Sequence, residues 1–279
     1  MSETALPRRR SPNMLPALGA AFTVFITAYI LIPILVTLVM SFNEAAMIRF
    51  PIAGWSLKWY QDFFASGQWM DALRNSIYIA VGTSIISTIA GVLAAWAFER
   101  YPIPFKNFFY VLIMLPLFMP GVVLGLGVAI AFGGLHIGDY SIYGSRELVM
   151  IAHSLWAMPL VFMLMEAAFG TVDHRVVEAS YDLGGRPFGT FFEIVIPMVS
   201  TGIISSALFA FVISLNEFVM ALFLTDRDTQ TLPVLMWLSL RSAGTPRLAV
   251  ASVVLATTVF ICLGVIMAWY IRQLRKTAR

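Results

Sequence analysis

Residues 17–41 read ALGAAFTVFITAYILIPILVTLVMS, and no charged side chain falls between Arg10 and Glu44. About 20 consecutive apolar residues carry a helix across the roughly 30 Å hydrocarbon layer of a membrane. This stretch therefore reads as a transmembrane helix, and it sets the measure for the rest of the chain. Five more intervals approach or exceed that uncharged length: Arg74 to Glu99, Lys106 to Asp139, Glu147 to Glu166, Glu193 to Glu217 and Arg247 to Arg272. They predict helices over 75–98, 108–132, 147–169, 199–224 and 249–271. The interval between Glu147 and Glu166 is the tightest, with 18 uncharged residues, which puts Glu166 at the inner interface. A closed barrel would need alternating segments of about ten residues, which the sequence does not offer. The expected fold class is all-α, an integral membrane protein of six transmembrane helices.

Composition agrees with this. The 279 residues are 59% hydrophobic and 12% charged, against roughly 25% charged in soluble domains. A net charge of +3 is too small for a nucleic-acid signature. The single cysteine, Cys262, lies in an apolar run and excludes an internal disulfide. The chain divides into a polar tail over 1–16, a transmembrane domain over 17–271 and a basic tail over 272–279.

Lys and Arg accumulate on the cytoplasmic side of membrane proteins. With the N-terminus inside, eleven of the 18 basic residues face the cytoplasm, including Arg8 to Arg10, Arg272, Arg275, Lys276 and Arg279. Both termini are thus expected in the cytoplasm. The uncharged run reaching Asn43 is far longer than the roughly 7–15 residues of a signal-peptide core, so the first helix reads as an uncleaved anchor.

In this topology the loop over 170–197 is the longest and most charged cytoplasmic connection. Asp173 suits an N-cap. From His174 to Leu183, the residues Val176, Ala179 and Leu183 share one helical face, while Glu178 and Asp182 share another. Gly184 and Gly185 stop this helix, Pro187 opens a second short one, and Pro197 precedes the fifth span. The residues alone are equally consistent with an interfacial helix and with a docking element for a soluble partner.

The spacing of this loop resembles the EAA loop of bacterial ABC importer permeases. Glu178, Ala179 and Ser180 are followed after three residues by Gly184, and after nine more by Ile194, Val195, Ile196 and Pro197. Ser180 stands where the family pattern has alanine, and Ile196 where it has leucine. The resemblance implies a coupling helix seated on a cytoplasmic ATPase, with Glu178 and Gly184 central and Asp182 and Arg186 flanking. Without a partner, Glu178 and Asp182 would form a solvated face paired with Arg175 or Arg186. Along its whole length the chain is most similar to the spermidine and putrescine type of permease. That likeness rests on Ser41-Phe42-Asn43, Trp59-Tyr60, Asn75-Ser76, Ser214 to Phe218, Thr231-Leu232-Pro233 and the run from Ala249 to Ala256.

The family implies two permease subunits, this chain and a homologous partner, two cytoplasmic ATPase subunits and an extracytoplasmic binding protein docking on 42–74 and 225–248. No cofactor is expected on this chain. ATP and magnesium belong to the ATPase, because a phosphate-cradling loop needs Gly-Lys, and none of Lys58, Lys106 and Lys276 follows a glycine. No catalytic set stands out, and His136, His153 and His174 lack metal-ligand spacing.

For the substrate pathway, Glu217 is the clearest signal, since an ionisable group in a span costs about 2.5 kcal/mol or more unless paired or wetted. A helix starting near Ser200 at the cytoplasmic side carries it about 25 Å along, toward the outer half. There, with Asn216, it would receive an ammonium group from an outer cavity, or else pair with an arginine. Spermidine-type permeases often carry further acidic residues where this chain has Gly121 and Asn216, so a monocationic or zwitterionic ligand rivals a polyamine. Trp156 and Trp237 offer cation–π faces or interface anchors. Pro116, Pro120, Gly121, Gly125 and Gly127 predict a third helix that bends or packs closely. The importer reading gives a polyamine or related amine substrate, with opines, amino acids and phosphonates as alternatives. Its rivals from other classes are an ion-coupled transporter or channel and a membrane enzyme.

Overall fold

The computed structural model describes residues 14–242 and 244–277. Arg8 to Arg10, which head the expected tail 1–16, and Arg279 of the tail 272–279 lie outside the described residues. The helices in chain order are α1 (Met14–Met40), α2 (Lys58–Ala65), α3 (Gly67–Arg100), α4 (Lys106–Phe118), α5 (Gly121–Phe132), α6 (Arg146–Phe169), α7 (His174–Asp182), α8 (Pro187–Thr190), α9 (Ile196–Met198), α10 (Ser200–Asn216), α11 (Val219–Leu224), α12 (Leu232–Ser242) and α13 (Arg247–Thr277). A π-helical turn over Phe191–Val195 joins α8 to α9. A small hairpin pairs β1 (His136–Ile137) with β2 (Tyr140–Ser141), Ile137 opposite Tyr140.

Four helices, α1, α3, α6 and α13, are long and apolar enough to cross a membrane, and two bent pairs bring the number to six. The bent pairs correct two sequence expectations. The single helix expected over 108–132 is two helices, α4 and α5, meeting at 103°. Pro120 is the cause: it has no N–H to continue the ladder, and its ψ of 136° turns the chain out of the helix. The helix expected over 199–224 bends by 75° near Val199, stops at Asn216, and resumes as α11 only after an extended Glu217.

The packed centre is formed by α3, α6 and α10. Small residues recur at their contacts, with Ala80, Ala95, Ala152, Ala157 and Ala210 buried, and let the backbones approach closely there. Ser84 ties α3 to α10 by donating to the carbonyl oxygen of Ala207 at 2.7 Å. By contrast, α1 packs on α13, and Phe22, Phe25, Tyr29 and Ile32 on it are exposed. Such an apolar exterior suits lipid, where burial against protein is not required.

The short patterns of the spermidine-type likeness meet in pairs at one end of the bundle. The hydroxyls of Ser41 and Tyr60 lie 2.8 Å apart, and the Trp59 indole donates to the Ala45 carbonyl at 3.1 Å. Asn75 donates to the carbonyls of Asp228 and Gln230 at 2.8 and 3.1 Å, and Ser76 accepts from the Leu232 amide at 2.7 Å. An ion pair of Arg247 with Asp62 closes the same end. These polar residues fasten the connections between spans. α7 lies at the other end, where His174 sits 3.5 Å from Glu99 near the end of α3.

Candidate functional site

Two arrangements stand out, one at each functional expectation. The first is α7. Asp173 caps it by accepting from the Arg175 amide at 2.9 Å. Val177, 3% exposed, anchors the helix against Phe169, Phe191 and Val195, and Tyr181, one turn on, packs beside it. The opposite stripe expected from the sequence, Val176, Ala179 and Leu183, turns outward, with Leu183 89% exposed. Glu178, Asp182 and Arg186 are also exposed. Among the described residues, neither acid forms an ion pair with Arg175 or Arg186.

Gly184 ends the helix with φ +84°, a conformation an L side chain rarely adopts. The chain then doubles back, the Gly185 amide donating to the Ser180 carbonyl at 2.8 Å. The Ser180 hydroxyl lies 2.9 Å from that of Thr190. Thus the residue that departs from the family pattern fastens α7 to α8. Phe188, 77% exposed, extends the apolar tip. An apolar tip with carboxylates free of ion pairs is suited to a protein groove rather than to small-molecule chemistry.

The second arrangement lies where the two broken spans meet. The start of α5 packs on α11: a Cβ on Gly121 would lie 3.5 Å from Val219 and Trp156, and one on Gly125 3.0 Å from the Met220 Cα. Half-buried Trp156 donates its indole N–H to the Pro116 carbonyl at 2.9 Å. Glu217 is 6% exposed. Its carboxylate accepts from the Met220 amide at 3.0 Å and the Ala221 amide at 3.2 Å, capping α11.

Glu217 Oε2 lies 3.2 Å from Nε2 of fully buried His153. The contact is not aligned as a hydrogen bond. Nδ1 of His153 is 2.8 Å from Ser214 Oγ, which is 3.2 Å from Thr83 Oγ1.

The sequence expectation of a joint Asn216–Glu217 ammonium site is not met. Exposed Asn216 turns the other way, its Nδ2 donating to the Val212 carbonyl at 2.8 Å. It lines a cavity of about 680 Å³ with Phe218, Trp237, Met40 and Leu240. Gly121 and Trp156 sit on the Glu217 side of the break, outside this cavity. The partner of Glu217 is His153 rather than an arginine. Sequence reading weighed the histidines only by metal-ligand spacing and missed this residue. The signal that would have found it is its place in the middle of an apolar span, where any ionisable side chain needs a partner.

Comparison with known proteins places these features in a family. Residues 87–279 match the family described as binding-protein-dependent transport system inner membrane component. The chain is 30% identical over 270 residues to the putrescine transport system permease protein PotI of Escherichia coli K12, covering 95% of this chain and 92% of that protein. It is 26% identical over 243 residues to the spermidine/putrescine transport system permease protein PotC of the same strain, covering 85% and 88%. In fold it is similar to a chain of a bacterial ABC transporter involved in alginate import, with TM-score 0.71, 14% identity and coverage of 90% and 94%.

Proposed function

Because this chain belongs to the family of binding-protein-dependent transport system inner membrane components, we propose that it forms half of an importer's substrate pathway and couples it through α7 to a separate ATPase. It is a multi-pass membrane permease subunit, not an enzyme. The observation that carries the coupling role is the outward stripe Val176, Ala179 and Leu183 on a helix anchored from behind by Val177. A rigidly held helix with an uncovered apolar face transmits movement of whatever grips it. ATP and magnesium act on the ATPase, and α7 moves as two ATPase subunits close.

In this reading both termini face the cytoplasm and the protein sits in a bacterial inner membrane. Its pathway partner is a homologous permease, forming a heterodimer, and an extracytoplasmic binding protein docks on the connections over 42–74 and 225–248. The substrate is a polyamine or a related small amine or amino-acid derivative. The identity with the putrescine permease supports this choice, as do the Phe218 and Trp237 rings, 5.5 Å apart beside Asn216, which offer an ammonium group π faces and an amide oxygen.

The test is co-purification of this chain with its partner permease, ATPase and binding protein, followed by ATP hydrolysis in nanodiscs across polyamines, opines, amino acids and phosphonates. Stimulation by amines, lost in Glu178→Arg, is the expected result. Failure to assemble with the ATPase, or equal activity in the variant, overturns the coupling role.

A further inference from the structure

The polarity of the buried polar chain around His153 follows from its far end. The Met150 carbonyl can only accept, so Thr83 donates to it, at 3.3 Å. Thr83 Oγ1 then accepts from Ser214, and Ser214 Oγ accepts from Nδ1 of His153. His153 therefore carries a proton on Nδ1. Its Nε2 faces Glu217 Oε2 at 3.2 Å, and a bare lone pair there would repel a carboxylate oxygen. The close approach therefore requires a proton on one of the two side chains. The Met220 and Ala221 amides donate to the Glu217 oxygens and fix the carboxyl group on the start of α11.

The cavity on the other side of the break is uncharged. Asn216 lines it with its Nδ2 engaged by the Val212 carbonyl, and Phe218 and Trp237 supply rings. No charged side chain among the described residues lines it. We propose that His153 is a positioning residue for transport: it holds the Glu217 carboxylate on the α11 backbone and away from this cavity, so that the substrate meets a neutral aromatic wall. An amine is then recognised by the Asn216 oxygen and the ring faces, and Glu217 serves to hold the break. This inference rests on the permease reading above.

The test is carboxyl modification with a water-soluble carbodiimide and a small amine, read residue by residue by mass spectrometry on the full chain in nanodiscs. In the unaltered chain Glu217 should react at least about tenfold more slowly than exposed Glu178, because a paired, buried carboxylate is shielded. His153→Leu should raise the Glu217 rate about fivefold or more, while His153→Gln, which keeps a polar neighbour of similar size beside the carboxyl group, holds it within about twofold. An unchanged midpoint of thermal unfolding in each variant reports that it remains folded. Equal rates at Glu217 and Glu178 in the unaltered chain, or no change in His153→Leu, overturn the proposal.

In the assembled importer with putrescine-loaded binding protein, Glu217→Gln should keep KM within about twofold and lower kcat about tenfold, the signature of a group that does not touch the substrate. A KM raised about tenfold or more at unchanged kcat would put the carboxylate on the substrate and overturn it. No putrescine response in the unaltered importer fails the substrate reading instead, and the modification rates then decide the role of His153.

Discussion

Trp156 donates its indole N–H to the carbonyl oxygen of Pro116, the acceptor that Pro120, lacking an N–H, leaves without its helical partner. Only the Met119 amide, at 3.2 Å, reaches this oxygen from within the same span. A break inside a membrane is tolerated only where a neighbouring helix supplies such a bond. Trp156→Phe keeps the ring and removes the donor. It should cost about 1 kcal/mol, read as a lowered midpoint of thermal unfolding in detergent, and an unchanged midpoint would mean that the bond does not support the break.

The contact of α5 with α11 depends on Gly125, where any Cβ presses on the Met220 Cα. Gly125→Val should destabilise the chain by about 1–3 kcal/mol through overpacking. Nothing lies within 4 Å of a Cβ on Gly127, two residues away, so Gly127→Ala should be neutral or slightly stabilising. Comparing the two midpoints separates close packing from helix propensity, and equal effects would argue against the contact.

Val177 on α7 and Leu183 at its end, which face opposite ways, should have opposite phenotypes. Leu183→Asp should leave the chain as stable as before while weakening ATPase association about 30-fold, as for an interface anchor worth about 2 kcal/mol. Val177→Asp should instead destabilise the chain, because it buries a carboxylate among Phe169, Phe191 and Val195. Co-purification and thermal unfolding measured on both variants decide the matter. If Leu183→Asp still holds the ATPase at full affinity, the outward stripe is not the docking surface.

Asn75 clamps the connection before α12 through the carbonyls of Asp228 and Gln230. Asn75→Leu removes both donors and should cost about 1–3 kcal/mol. Limited proteolysis should then cut within 226–231 about tenfold faster, as local opening of that segment becomes more populated. Cleavage at an unchanged rate would show that Ser76 alone holds it.

Much of this protein was legible in one dimension. Charge-free intervals located the four unbroken spans and the neighbourhood of both bent pairs, because an apolar run long enough to cross hydrocarbon is a property of consecutive residues. The loop over 170–197 was legible in part: Asp173 caps and Gly184 turns because capping and positive φ are local properties, whereas the outward direction of the face bearing Leu183 came from packing. The EAA-like spacing from Glu178 to Pro197 then identified the family.

The interior of the two broken spans was not legible in that way. Pro120 announced a weak point in the ladder, but not that Trp156, 40 residues further on, would repair it. Glu217 announced a costly group, but not that His153 would hold it or that Asn216 beside it would face the opposite side. A buried polar group needs some partner, and the sequence establishes that need from burial and chemistry alone. Which residue answers it depends on helices distant in sequence being packed side by side, and that choice belongs to the tertiary structure.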